Sequence, residues 1–125
     1  MKWYLAKIVF RIVCGNGNHT PQFDEQFRLL SAENAALAFI KAVNKGNESE
    51  ERFYNIHKQV VQWKFLDVPE IILINEMVDG TEIYSSIKES DDAADYEWNI
   101  HARAEILKKK CEAMLESLGS PLVAE

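Results

Sequence analysis

Residues 2–14 alternate between apolar and mixed positions with the two-residue period of a β-strand. One face of this predicted strand is an unbroken apolar row, made of Tyr4, Ala6, Ile8, Phe10, Ile12 and Cys14. The other face combines apolar residues with Lys7 and Arg11, so we expect it to be partly solvated. The apolar row predicts a strand that lies well inside a sheet.

A second strand is predicted after a short loop. Residues 15–18 read Gly-Asn-Gly-Asn, and both residue types tolerate the positive φ of a tight turn. Residues 22–30 then alternate again, with Phe23 and Phe27 on one face and polar side chains on the other. The two strands predict an antiparallel hairpin whose loop ends at Pro21.

A first helix is predicted over residues 32–45, which are rich in alanine and contain no glycine or proline. We expect Ser31 to cap its N-terminus, because a serine hydroxyl accepts a hydrogen bond from a free amide of the first turn. We expect Gly46 to end the helix in the left-handed conformation. The apolar surface of the helix predicts deep packing across the sheet.

Short β-type segments follow. Predicted strands cover residues 52–55, 60–68 and 81–87. Residues 71–74 fit a strand or a loop, because Pro69 restricts its surroundings to a sheet edge, a bend or a bulge. Asp79-Gly80 predicts a turn. The order ββα and then a β-meander predicts an α+β fold, an antiparallel sheet with one helix packed on a face.

A C-terminal helix is predicted over residues 91–118, capped by Ser90 or Asp91 and ended by Gly119 and Pro121. Its apolar residues recur at spacings of four and three, which is a heptad-like pattern. They are Ile100, Ala104, Leu107, Cys111, Met114 and Leu118. Two arrangements fit this stripe: the helix lies on its own sheet, or it projects and pairs with a second copy. The stripe leads us to predict a homodimer through this helix.

The length of 125 residues suits one domain. We expect residues 1–90 to form the sheet domain, residues 91–118 to be a helix of the same domain, and residues 119–125 to be a tail. The net charge of −6 lies entirely in residues 79–98, because the basic and acidic residues of the remaining chain balance. Acidic residues of this stretch are Asp79, Glu82, Glu89, Asp91, Asp92, Asp95 and Glu97. The acidic balance argues against a nucleic-acid partner, since phosphate binding needs a basic face.

The sequence predicts a cytoplasmic protein. No apolar stretch has the length of a signal peptide core or of a membrane span, so no membrane partner is expected. Cys14 and Cys111 are far apart in the sequence, and without a secretory signal we expect two reduced thiols.

The sequence indicates no catalytic residue, no cofactor and no metal site. The three histidines have none of the spacings of metal-binding motifs. The only glycine-rich segment precedes a predicted strand, whereas a dinucleotide or phosphate loop precedes a helix. Both cysteines lie on apolar stripes, where a thiol tends to be inert.

Four segments carry a family resemblance over about residues 1–88. They are Met1-Lys2-Trp3-Tyr4 with Ala6-Lys7, Asp24-Glu25-Gln26 to Ala32, Gln62-Trp63-Lys64-Phe65 with Val68 and Glu70, and Asp79-Gly80-Thr81-Glu82-Ile83-Tyr84-Ser85. In combination they resemble a bacterial family catalogued as domain of unknown function 4288. The resemblance implies a small bacterial single-domain protein, and it supplies no activity and no catalytic residues.

Three functional hypotheses follow. The first is a non-enzymatic protein-interaction module, suggested by the heptad-like stripe. The second is an acidic inhibitor or sequestering partner of a basic protein, suggested by the charge of residues 79–98. The third is a small-molecule binder or cryptic enzyme, with a pocket between helix and sheet formed by Arg28, Trp63, Glu82 and Tyr84.

Overall fold

The computed structural model of the protein describes residues 1–119. Its elements are β1 (Lys2–Cys14), β2 (Gln22–Ala32), α1 (Ala35–Glu48), β3 (Glu51–Tyr54), β4 (Val60–Ile74) and α2 (Ala93–Ser117). The contacts divide the chain into two compact units, Met1–Ser85 and the residues from Ser86 onward. The predicted tail lies outside the described residues except for Gly119.

The first unit is a four-stranded antiparallel sheet in the order β2-β1-β4-β3. The long first strand and its hairpin with β2 are confirmed, and so is the α+β class. β1 lies inside the sheet, as its apolar row predicts, with β2 and β4 on its two sides.

The core lies between α1 and one face of the sheet, which we call the α1 face. Ala6, Ile8 and Phe10 of β1 are fully buried there. Ala38 and Ala42 of α1 are also fully buried, and their small side chains bring the helix close to the strands.

Both predicted ends of the first helix are wrong. Ser31 belongs to β2, where it pairs with Trp3, and the N-cap is Asn34, whose Oδ1 accepts from the Leu37 amide at 2.9 Å. Gly46 lies inside α1 and is buried. Glycine is needed here because α1 lies close to β4, and a Cβ at this position would overlap the ring of Phe65.

The segments predicted on either side of Pro69 form one continuous strand, β4. Two residues of β4, Val68 and Pro69, face one residue of β1, Ile8, between the pairs Lys7↔Glu70 and Val9↔Asp67. Pro69 therefore lies at a β-bulge, where its missing amide costs no ladder hydrogen bond.

The strand predicted over residues 81–87 is wrong. The turn at Asp79-Gly80 is present, with Gly80 at φ +88, but no strand follows it. Instead the ring of Tyr84 packs on the ring of Phe27 in β2, with centroids 4.7 Å apart. The alternation of this segment reflects side-chain packing on the sheet without backbone pairing.

The second unit contains α2. Its N-cap is Asp92, one or two residues later than predicted, and the Asp92 Oδ1 accepts from the Asp95 amide at 2.9 Å. Gly119 follows the helix with φ +77, as predicted for a left-handed terminator. No helix among residues 1–119 combines the length and the apolar character that crossing a bilayer requires. That the two units form one domain stays a prediction.

Candidate functional site

A row of hydrogen-bonded polar side chains crosses the α1 face beyond the end of the helix. Asp24 Oδ2 accepts from the indole Nε1 of Trp63 at 3.1 Å and from Gln26 Nε2 at 2.6 Å. Gln26 Oε1 in turn accepts from Arg28 through Nε at 3.1 Å and Nη2 at 2.7 Å. All four side chains are half-buried. These bonds fix the orientation of each side chain in the row.

The alternation of β2 produces this row. Asp24, Gln26 and Arg28 occupy alternate positions, so they point to the α1 face together. The phenylalanines of the same strand point to the opposite face, where Phe23 and Phe27 are 54% and 42% exposed. The polar side of β2 thus faces the helix side of the sheet, in an area that α1 does not cover.

Three members of the row, Gln26, Arg28 and Trp63, form the floor of a cleft of about 490 Å³. One wall is the end of α1, with Glu48 and Ser49, and the other is β3, with Glu51 and Phe53. Phe53 also stacks on Trp63, with centroids 5.9 Å apart and ring planes 23° apart. The cleft offers one guanidinium, two carboxylates and an aromatic surface, which suit a polar ligand.

The cleft contains no activated nucleophile among the described residues. The Ser49 hydroxyl donates to the Lys45 carbonyl at 2.7 Å, which continues the hydrogen bonding of α1. Outside the cleft, Cys14 is a second potential nucleophile. The histidine closest to it in sequence, His19, accepts a hydrogen bond from the Cys14 backbone amide at 2.9 Å and forms no hydrogen bond with the thiol. Residues 1–119 also contain no group of three or more His, Cys, Asp or Glu side chains arranged to hold a metal ion.

The four pocket residues named from the sequence do not all come together. Arg28 and Trp63 line the cleft, whereas Glu82 and Tyr84 line a separate depression of about 340 Å³ beside Ile72. Tyr84 lies over Phe27, on the face of the sheet opposite α1. Sequence reasoning missed Asp24 and Gln26 of the row, although their alternation with the apolar residues of β2 signals that they share the face of Arg28.

Lys7 is the central charge on the face opposite α1. Its Nζ lies 2.9 Å from Glu25 Oε1 and 5.7 Å from the centroid of Phe27. The hydrogen bond to Glu25 raises the pKa of Lys7 above its usual value. Because the ammonium lies over the ring of Phe27, it covers part of the exposed aromatic surface of β2.

The acidic stretch divides between the two units. Asp79 and Glu82 belong to the first unit, and the second holds Glu89, Asp91, Asp92, Asp95 and Glu97. All seven are exposed. The ion pairs found within residues 1–119 are Lys7–Glu25 and Lys45–Glu48, so none involves this stretch. Asp92 caps α2, and binding of a basic partner by the stretch stays a prediction.

The apolar stripe of α2 and its C-cap residue Leu118, which begins at Ile100, is hereafter called the seam. None of the side chains of α2 is buried. Four large seam residues have exposed fractions of 44–71%, namely Ile100, Leu107, Met114 and Leu118. Cys111 is half-buried and its thiol is free. The seam is therefore an apolar surface that is open to a partner.

Comparison with known proteins bears on the first unit. The sequence profile of a family described as "Domain of unknown function (DUF4288)" matches residues 3–85. The chain belongs to this family. The DUF4288 match ends at the boundary of the sheet unit, so α2 and its seam lie outside it. No curated protein and no solved structure matches the chain.

Proposed function

We propose that this protein is a non-enzymatic protein-interaction module whose binding surface is the seam of α2. The observation that carries the proposal is the exposure of large apolar side chains along one line of a 25-residue helix. Isolated apolar residues on a surface are ordinary, but a line with heptad spacing is the pattern that one helix presents to another.

Burial of the seam contributes a substantial part of the free energy that binding requires. Full burial of an exposed Leu, Ile or Met side chain contributes about 1.5–3 kcal/mol, and these four are 44–71% exposed, so their further burial supplies about 4–7 kcal/mol. Association costs about 4–15 kcal/mol in lost translational and rotational freedom. Burial of the seam therefore offsets part of the cost of association. Additional contacts with the partner supply the rest of the binding free energy.

The chain offers a matched pair of variants for a test. Leu107 lies on the seam and Ile106 lies outside it, and they are 61% and 58% exposed. Leu107→Glu and Ile106→Glu introduce the same charge on the same helix at nearly equal exposure. Circular dichroism of both variants verifies that the helix is retained.

The experiment is quantitative crosslinking in cells that produce the tagged protein, followed by purification of the recovered partner and its titration with each variant. We expect the partner to bind the wild-type chain and Ile106→Glu equally, and Leu107→Glu at least about tenfold more weakly. Equal binding by both variants, or a loss with Ile106→Glu, contradicts the proposal.

A second candidate function is the binding of a small polar ligand in the cleft. The hydrogen-bonded row that ends in Arg28 and Trp63 supports it, because it holds polar groups ready for a ligand. A thermal-shift screen of metabolites tests it with the wild-type chain and Trp63→Ala. A stabilising compound that loses its effect in Trp63→Ala is expected, and hits that persist in the variant argue against the cleft.

A further inference from the structure

Between Ile100 and Leu118, the charged side chains that lie beside the seam are all basic. At 3.6 residues per turn the seam occupies an arc of about 80°. The positions beside that arc hold the basic residues Arg103, Lys108 and Lys110. The opposite half of the helix holds the acidic residues Glu105, Glu112 and Glu116 together with Lys109. Between Ile100 and Leu118 the seam is flanked by bases and by no acid.

These flanks disfavour a second copy of the chain. The midpoint of the seam is residue 109, so antiparallel pairing over its whole length places Lys108 and Lys110 against the same two lysines of the second copy. Parallel pairing in register places Arg103 against the second copy's Lys108. Like charges at flanking positions are destabilising, and both directions of pairing contain them. A homodimer stays a prediction, and the like charges beside the seam weigh against it.

We infer that the seam binds an amphipathic helix of another protein that carries acidic side chains beside its own apolar stripe. The inference rests on the proposed function and adds the chemistry of the partner. Flanking ion pairs select partner and orientation in helix pairs, and here the selecting charge is positive. These ion pairs also add contacts to those made by the four large side chains of the seam.

The width of the seam favours a helix over an anionic membrane. A helix that lies in a membrane surface presents a broad face of bulky apolar residues. The seam is narrow, and two of its six positions are the small residues Ala104 and Cys111. A narrow stripe that alternates large and small residues fits knobs-into-holes packing with one partner helix.

The test uses the full-length protein and two designed 28-residue helical peptides with identical leucine and isoleucine stripes. One peptide carries glutamate at every flanking position and the other carries lysine. Fluorescence anisotropy of the labelled peptides measures binding at low and at high salt. We expect the glutamate peptide to bind at least about tenfold more tightly at low salt, and the difference to shrink at high salt.

A charge-reversed variant supplies the reciprocal measurement. Arg103→Glu with Lys108→Glu and Lys110→Glu reverses the flanks, so we expect this variant to prefer the lysine peptide. Lys109→Glu is the matched control, because residue 109 points away from the seam, and it leaves the preference for the glutamate peptide intact.

Each other outcome overturns a different claim. Equal binding of both peptides, lost in Leu107→Glu, overturns the acidic partner and leaves the interaction module standing. No binding of either peptide overturns the proposed function as well. A tight dimer in sedimentation equilibrium overturns the acidic partner in favour of a second copy. Binding of phosphatidylserine vesicles that both peptides fail to inhibit overturns it in favour of a membrane.

Discussion

Substitution of Gly46 by alanine tests how closely α1 lies on the sheet. In an exposed helix interior this change stabilises by about 1 kcal/mol, because alanine has the higher helix propensity. Here the added Cβ would overlap the ring of Phe65. That ring is itself held against Phe10, with centroids 6.0 Å apart. Overpacking of this kind costs about 1–3 kcal/mol, so the two effects leave a net loss of about 1 kcal/mol.

Urea unfolding of Gly46→Ala, followed by circular dichroism, measures this loss. The control is Gly46→Ala in a Phe65→Leu background, where the smaller side chain leaves room for the Cβ. We expect alanine to be neutral or stabilising there, which gives a coupling free energy of about 1–2 kcal/mol between the two positions. Stabilisation by Gly46→Ala in the wild-type background would refute the close approach of helix and sheet.

Three further changes test individual interactions. Trp63→Phe keeps an aromatic side chain but removes the five-membered ring with the N–H that donates to Asp24, so urea unfolding should show a loss of at least about 1 kcal/mol. Asn34→Ala removes the cap of α1 and should cost about 1 kcal/mol, whereas Asn47→Ala at an exposed position should cost much less. Because folding raises the pKa of Lys7, its contribution to stability is present below the usual pKa of 10.5 and is lost as pH rises through the higher folded value. The stability difference between the wild-type chain and Lys7→Met should therefore shrink above pH 10.5, and a difference that is constant from pH 8 to pH 12 contradicts this.

The first strand and its hairpin with β2 could be predicted from the local periodicity of the sequence. The alternation of β1 predicts its length, and the part of its apolar face from Tyr4 to Phe10 packs under α1. The ends of α1 were not readable, because strand pairing of Ser31 with Trp3 overrides its preference for a cap. Gly46 looks like a terminator in the sequence, and only the position of Phe65 shows that close packing requires it.

Alternation alone does not distinguish a strand from a segment that packs through side chains. Tyr84 belongs to such a segment, and its contact is a ring on Phe27 with no backbone ladder. The predicted pocket failed for the same reason. Arg28 and Trp63 face α1, whereas Tyr84 lies on the opposite side of the sheet. Which faces meet depends on strand order, and strand order is not encoded in a local pattern.

Amide hydrogen exchange of the full-length protein with and without the glutamate-flanked peptide tests the central claim most directly. If the seam is the binding surface, exchange slows in α2 between Ile100 and Met114, because a helix with no buried side chain gains a packed partner. Exchange in β2 and β4, which carry Asp24 and Trp63, stays unchanged. Protection in these strands with none in α2 would contradict the account and place binding in the cleft.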